Sequence, residues 1–241
     1  ALEHAAVELR GDRDVVLGAV AQDGWVLELA ADRLRADRSI VSTAVRRDGS
    51  ALQFAAEELR ADPLLVTEAA CQHVEAIKFA DPKLQADASL ITDLVARNVE
   101  VLKYVPKALL ANRDLILQAV QANCRAFEMA SPELRADREL VLQAVTADGC
   151  LLQLASKEFH EDVDVVLLAA KTDHRAFEFA ARSLYSDKSF VLKAVALNAR
   201  SLMLAPEDLK RDKTFMLECV KANYQAAQFA SPELRRLFQA L

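Results

Sequence analysis

What the chain has little of narrows the reading first. Its 241 residues hold five glycines and six prolines, which leaves little material for long irregular loops. Aromatics are 6% of the residues, with a single tryptophan. No apolar run approaches the ~20 residues that a membrane-spanning helix needs, and no signal or transit peptide is visible. The four cysteines, Cys71, Cys124, Cys150 and Cys219, form no C-x-x-C pair and are too sparse for a disulfide scaffold. They read as reduced thiols acting as small apolar residues. That predicts an intracellular protein, with cytoplasm and organelle interior not distinguished.

Chemistry-bearing motifs are missing too. There is no G-x-G-x-x-G, no G-K-(S/T) loop and no G-x-S-x-G elbow. His4, His73, His160 and His174 lack the H-x-x-x-H or H-E-x-x-H spacing of a metal site. The expectation is no catalytic residue, no cofactor, no metal and no enzyme activity. With 36 acidic against 30 basic side chains the net charge is -6, which speaks against a general nucleic-acid binder.

What is present is repetition. A unit of the form L-R-x-D-R-x-h-V-L-x-A-V-x-x-(D/N)-G-x-h-L-x-h-A-S-x-E, with h apolar, begins at Leu9 and returns every 25 residues: Leu34, Leu59, Leu84, Leu109, Leu134, Phe159, Leu184 and Leu209. A tenth copy starts at Leu234 and stops. Residues 1–9 align with 51–59, so the chain opens in the second half of an earlier unit. It reads as a piece of a longer array, or as a processed mature protein. The organisation expected is a half-unit 1–8, nine units over 9–233 and a partial unit or cap over 234–241, as one array. Arrays of this kind grow by stacking units rather than by enlarging one core.

Each unit reads as two helices. Its fourth residue is Asp12, Asp37, Asp62, Asp87, Asn112, Asp137, Asp162, Asp187 or Asp212, a side chain that caps a helix N-terminus. The ten residues that follow carry one apolar stripe, as Leu140, Val141, Ala144 and Val145 do. A second Asx column closes this helix A: Asp23, Asp48, Asn98, Asn123, Asp148, Asp173, Asn198 and Asn223, with His73 the exception. Gly24, Gly49 and Gly149 follow it, and such pairs suit turn conformations. Helix B is short, with Leu151, Leu152, Leu154 and Ala155 turned inward. Ser131-Pro132-Glu133-Leu134 and Ser231-Pro232-Glu233-Leu234 then read as a capped one-turn connector. Helices this short are marginal alone, so they must bury their stripes against neighbouring units, and near-constant alanines allow close approach. The fold class expected is all-α: a right-handed α-solenoid of 25-residue two-helix repeats.

The D-(R/K)-x-h-V-L-x-A-V core, as in Asp137–Val145, and the A-L-x-F-A-(A/S)-x-E-L run of Ala51–Leu59 resemble the family known as domain of unknown function 4116. Its unit of roughly fifty residues corresponds to two of the units here. The resemblance covers essentially the whole chain. It implies a helical repeat with a binding role and brings no catalytic residues.

The repeat supplies its own control for finding a site. Two columns are partly basic: Arg10, Arg35, Arg60, Arg135, Lys210 and Arg235, and Arg13, Arg38, Arg113, Arg138, Lys188 and Lys213. Interleaved acids favour local pairing over phosphate reading. Apolar residues at positions that are polar in sister units say more: Trp25, Leu110, Leu168, Tyr185, Leu197 and Met203. Leu168 and Leu197 share a helix face and could form one patch, and exposed apolar clusters mark interfaces. For Trp25 the competing role is packing on a preceding unit. The unit 84–108 departs most from the pattern, with Leu94, Val105 and Pro106, and a local change of spacing or curvature is expected there.

The functional expectation is therefore a non-catalytic protein-interaction scaffold or accessory subunit whose partner is another protein. The alternatives are a phosphate-backbone binder using the basic columns, and a repeat domain of a larger multidomain enzyme or effector.

Overall fold

The computed structural model describes residues 7–239, and these are helical with no strand. The expected half-unit 1–8 lies almost wholly outside them. The chain forms two compact bodies, residues 1–130 and 131–241.

The first body holds the long helices Arg13–Val20, Arg38–Arg47, Pro63–Gln72, Ala88–Arg97 and Arg113–Ala122. The second holds Arg138–Ala147, Val163–Thr172, Lys188–Leu197 and Lys213–Ala222. Each starts where its cap requires. One carboxylate oxygen of Asp37 accepts from the N–H groups of Ser39 and Ile40 at 2.9 and 3.3 Å, and Asp62, Asp87, Asp162 and Asp212 repeat this bond pair. The stripe is buried as its spacing predicts: Ile40, Val41, Ala44 and Val45 are fully covered, as are Leu140, Val141, Ala144 and Val145.

Helix B differs from the expectation of an α-helix. It is a 3-10 helix in most units, as over Gly49–Phe54, Val74–Phe79 and Gly149–Leu154; Ala176–Phe179 is an α-helical exception. Only six residues lie between the Asx cap and an alanine whose backbone is already extended, as at Asp48 and Ala55. In that span the i→i+3 bond from Ala55 N–H to Leu52 O (3.1 Å) closes the segment.

The glycines after the Asx column do not serve turn conformation, because no described residue has a positive φ. They serve space. A Cβ on Gly24, Gly49 or Gly149 would stand 2.5, 2.3 or 2.0 Å from the carbonyl oxygen of Ala44, Ala69 or Ala169 in the next unit.

Successive units are tied by two ladders. In the backbone ladder, the N–H groups of Ala31, Ala56 and Asp81 donate to Arg10, Arg35 and Arg60 O at 2.9 Å each. In the second body Ser156, Ala181 and Ser231 bond Arg135, His160 and Lys210 in the same way. Pro106 and Pro206 sit at the donor position and cannot donate. At Pro106 the irregular unit also has a 3-10 helix of five residues, Val99–Lys103, and a 3-10 connector, Lys107–Ala111.

The side-chain ladder joins a basic residue of one unit to the cap of the next: Arg13–Asp37 (2.9 Å), Arg38–Asp62 (3.0 Å), Arg138–Asp162 (2.5 Å) and Lys188–Asp212 (2.6 Å). Where the cap is Asn112, the corresponding residue is Ala88, so charge is absent from both sides together. Partial burial pushes the carboxyls of Asp37, Asp62 and Asp162 up, but the arginine and the two N–H donors more than offset it and hold them below the usual range. Lys188 and Thr214 lower Asp212 likewise.

Because the folded pKa values are depressed, this stabilisation is complete above the unfolded carboxyl value of ~3.9. It is lost as pH falls through that value toward the folded ones. The urea midpoint should therefore drop steeply below about pH 4. Asp162→Ala should cost about 1 kcal/mol through the lost cap. Asp162→Asn, which keeps the cap and loses the ion pair, should cost clearly less at pH 7. Equal losses in urea titrations of the two variants would assign the column to charge pairing alone.

Candidate functional site

Each polar column has a mechanical duty, and the exceptions stand out against it. In the column of the unit's second residue several side chains reach back to the carbonyl end of helix B, while Arg35 and Arg60 pair with Asp32 and Glu57 of their own connectors. Gln85 Nε2 donates to Lys78 O and Ala80 O at 2.9 Å each, Lys210 Nζ to Met203 O at 3.3 Å, and Arg235 Nε to Ala230 O at 3.0 Å. His160 Nε2 meets Leu152 O at 2.9 Å. Donors at a helix C-terminus satisfy carbonyls that lack an internal partner.

Tyr185 belongs to this column, which corrects its reading as a partner-binding residue. It is buried, and its hydroxyl donates to Phe177 O at 2.6 Å. Burial pushes its pKa well above the usual tyrosine value, so it stays a protonated donor. Leu110 sits in the same column and is half-buried.

Trp25 is 46% exposed and packs on the following unit; the expected packing on a preceding unit lies outside the described residues. The indole Nε1 donates to Asp48 Oδ2 at 2.9 Å, and the ring meets Phe54 edge-on with centroids 5.4 Å apart. Cys150 repeats the device with its thiol, which donates to Asp173 Oδ2 at 3.1 Å.

Asp148, Cys150 and Asp173 approach closely enough to share a cation. Burial, then Asp173, pushes the Cys150 thiol up to about 11, and the thiol donates to Asp173. The Arg175 guanidinium, 2.6 Å from Asp173, already holds that carboxylate. The cluster is a strut between units.

The remaining predicted residues are Leu168, half-buried, Leu197, 43% exposed, and Met203, 62% exposed. Met203 lies with Leu204 (43% exposed) in a groove of about 280 Å³, lined also by His174, Phe177, Glu178, Asn198, Arg200 and Ser201; among the described residues Glu178 is its one carboxylate and makes no ion pair with Arg200. Asn198 directly follows Leu197. A wider recess of about 890 Å³ shares His174, Asn198 and Arg200 with this groove and adds Tyr224, Gln225, Gln228 and Arg235. Tyr224 is 78% exposed. Among the described residues no carboxylate lines the recess.

A further signal was present in the sequence and was missed by reading columns singly. The variable position on helix B carries Glu75, Glu100, Arg125, Arg175 and Arg200, and three residues on stand Lys78, Lys103, Glu128, Glu178 and Met203. In a 3-10 helix residues three apart eclipse one another. Charge is therefore answered directly above itself: Lys78 pairs with Glu75 at 3.3 Å, Arg125 with Glu128 at 3.6 Å, and Lys103 with Glu100. Arg200 alone among these charged residues faces an apolar side chain. Among the described residues its guanidinium has no carboxylate partner.

The family model described as Domain of unknown function (DUF4116) matches residues 37–85, 87–135, 137–185 and 187–235. The chain belongs to that family. Each DUF4116 match opens on a helix-capping Asp and ends on the residue that turns back to helix B, so one family unit spans two long helices and their caps. Comparisons with curated proteins and with solved structures returned no match. Among the described residues no helix is long and apolar enough to cross a membrane.

Proposed function

We propose that this DUF4116 chain is a non-catalytic protein-interaction scaffold or accessory subunit, working inside the cell, whose units stack as a right-handed α-solenoid within each body. The observation that carries the reading is the contrast between columns. Side chains that repeat are engaged in caps and ladders, whereas Met203, Leu204 and Tyr224 expose apolar surface in the groove and recess that share Arg200, and Leu197, next to Asn198 in the chain, is 43% exposed. Apolar side chains grouped with Tyr, Met and Arg have the composition of interface cores. Four unpaired cysteines suit a reducing compartment. The phosphate reading is disfavoured because the arginines it would use already hold Asp37, Asp62 and Asp162.

Leu197→Glu with Leu204→Glu should abolish capture of a nuclease-insensitive protein partner from source extract. The urea midpoint should stay within about 0.5 kcal/mol of wild type, as for exposed sites. Equal recovery by the double variant, or a partner released by nuclease, would refute the scaffold reading at this surface.

A further inference from the structure

We infer that the groove around Arg200 docks a peptide segment in which a carboxylate side chain neighbours a large apolar one. This rests on the scaffold reading and specifies the chemistry of its partner.

The pairing along helix B breaks at Arg200. In three units the neighbouring turn of the 3-10 helix answers the charge at this position, and in a fourth Arg175 turns to Asp173 instead. In the unit 184–208 the next turn supplies Met203, 62% exposed, and Leu204, 43% exposed. Glu178 lines the same groove, but among the described residues no carboxylate is bonded to the Arg200 guanidinium, which leaves its donors for a partner. Its planar fork matches a carboxylate with two parallel bonds.

The surroundings select the rest of the ligand. Met203 is unbranched and adapts to irregular apolar shapes, and Leu204 and Phe177 extend that floor. Arg200 lines both this groove and a recess that holds Arg235 and, among the described residues, no carboxylate. An acidic side chain is thus drawn to Arg200 while its apolar neighbour settles on Met203 and Leu204. A nucleic acid would be held by phosphate alone and would have no use for the apolar floor.

The test is selection of displayed random dodecapeptides on the full chain, followed by synthesis of the best binder and of the same peptide with Glu and Asp replaced by Gln and Asn. The account predicts binders with an acid beside Leu, Ile, Phe or Trp. It predicts at least about tenfold weaker binding of the amide version, a similar loss for Arg200→Glu, and weakening with added salt. Arg125→Glu, in the same column of another unit, should leave binding unchanged. Binders without acids, or an amide version that binds equally, would overturn the assigned chemistry while leaving an interaction surface in place. An absence of any binder would overturn both, and displacement of the peptide by a short single-stranded RNA would turn the groove over to nucleic acid.

Discussion

Phe190→Ala is expected to destabilise the 131–241 body by about 3–5 kcal/mol, the range for truncating a buried aromatic. The ring is 1% exposed. It is met edge-on by Tyr185 and by Phe177, with centroids 5.3 and 6.5 Å away, an arrangement that adds to the burial term. The Tyr185 hydroxyl in turn fixes the Phe177 carbonyl. The three rings thus join helix B of one unit, the connector and the long helix of the next. Tyr185→Phe retains the ring and loses only this bond, so its cost should be near 1 kcal/mol. Urea titration followed by circular dichroism measures both. A loss below about 1 kcal/mol for Phe190→Ala would mean that the aromatic cluster does not join these elements.

Gly149→Ala is the second large effect, and its sign is unusual for a helical segment. Adding a methyl group to a helix glycine normally stabilises by about 0.5–1 kcal/mol. At Gly149 the new Cβ would stand 2.0 Å from Ala169 O and 2.8 Å from Ala169 C, backbone atoms that no rotamer change can clear. The neighbouring helix Val163–Thr172 must retreat, and overpacking of this kind costs about 1–3 kcal/mol. Gly18, within the helix Arg13–Val20, has nothing within 4 Å of its ideal Cβ. Gly18→Ala should therefore stabilise by the ordinary amount. Opposite signs in parallel denaturant titrations are the expected result, and the same sign for both would remove the close-approach argument.

How much of this was legible in the sequence depends on what each column had to reveal. The capping Asx residues and the alanine stripe were legible, because an N-cap and a helical apolar face each need particular residue types at fixed spacing. Helix B was placed but mistyped. Over six residues a period of 3.0 and one of 3.6 give the same apolar pattern, and the extended Ala that closes the segment decides between them. Tyr185 was misplaced because a column rich in Arg was read as solvent-facing, whereas several of its side chains turn back to carbonyls. Gly149 was recognised as special for the wrong reason: a short contact across units leaves no mark on local sequence. Tyr224 went unnoticed because its column holds Gly24, Gly49 and Gly149, which reads as buried. The charge pairing on helix B was fully written in the sequence but needed the 3-10 geometry to show that residues three apart face each other.

The account holds that repeated columns maintain the fold and that binding lies where the unit 184–208 breaks the pattern. Met203→Glu tests this most directly, because it restores to Arg200 the acidic neighbour that Arg125 has in Glu128. The predicted result is an unchanged or slightly higher urea midpoint, within about 0.5 kcal/mol of wild type, together with loss of acidic-peptide binding by at least about tenfold. Undiminished binding by a folded Met203→Glu chain would contradict it.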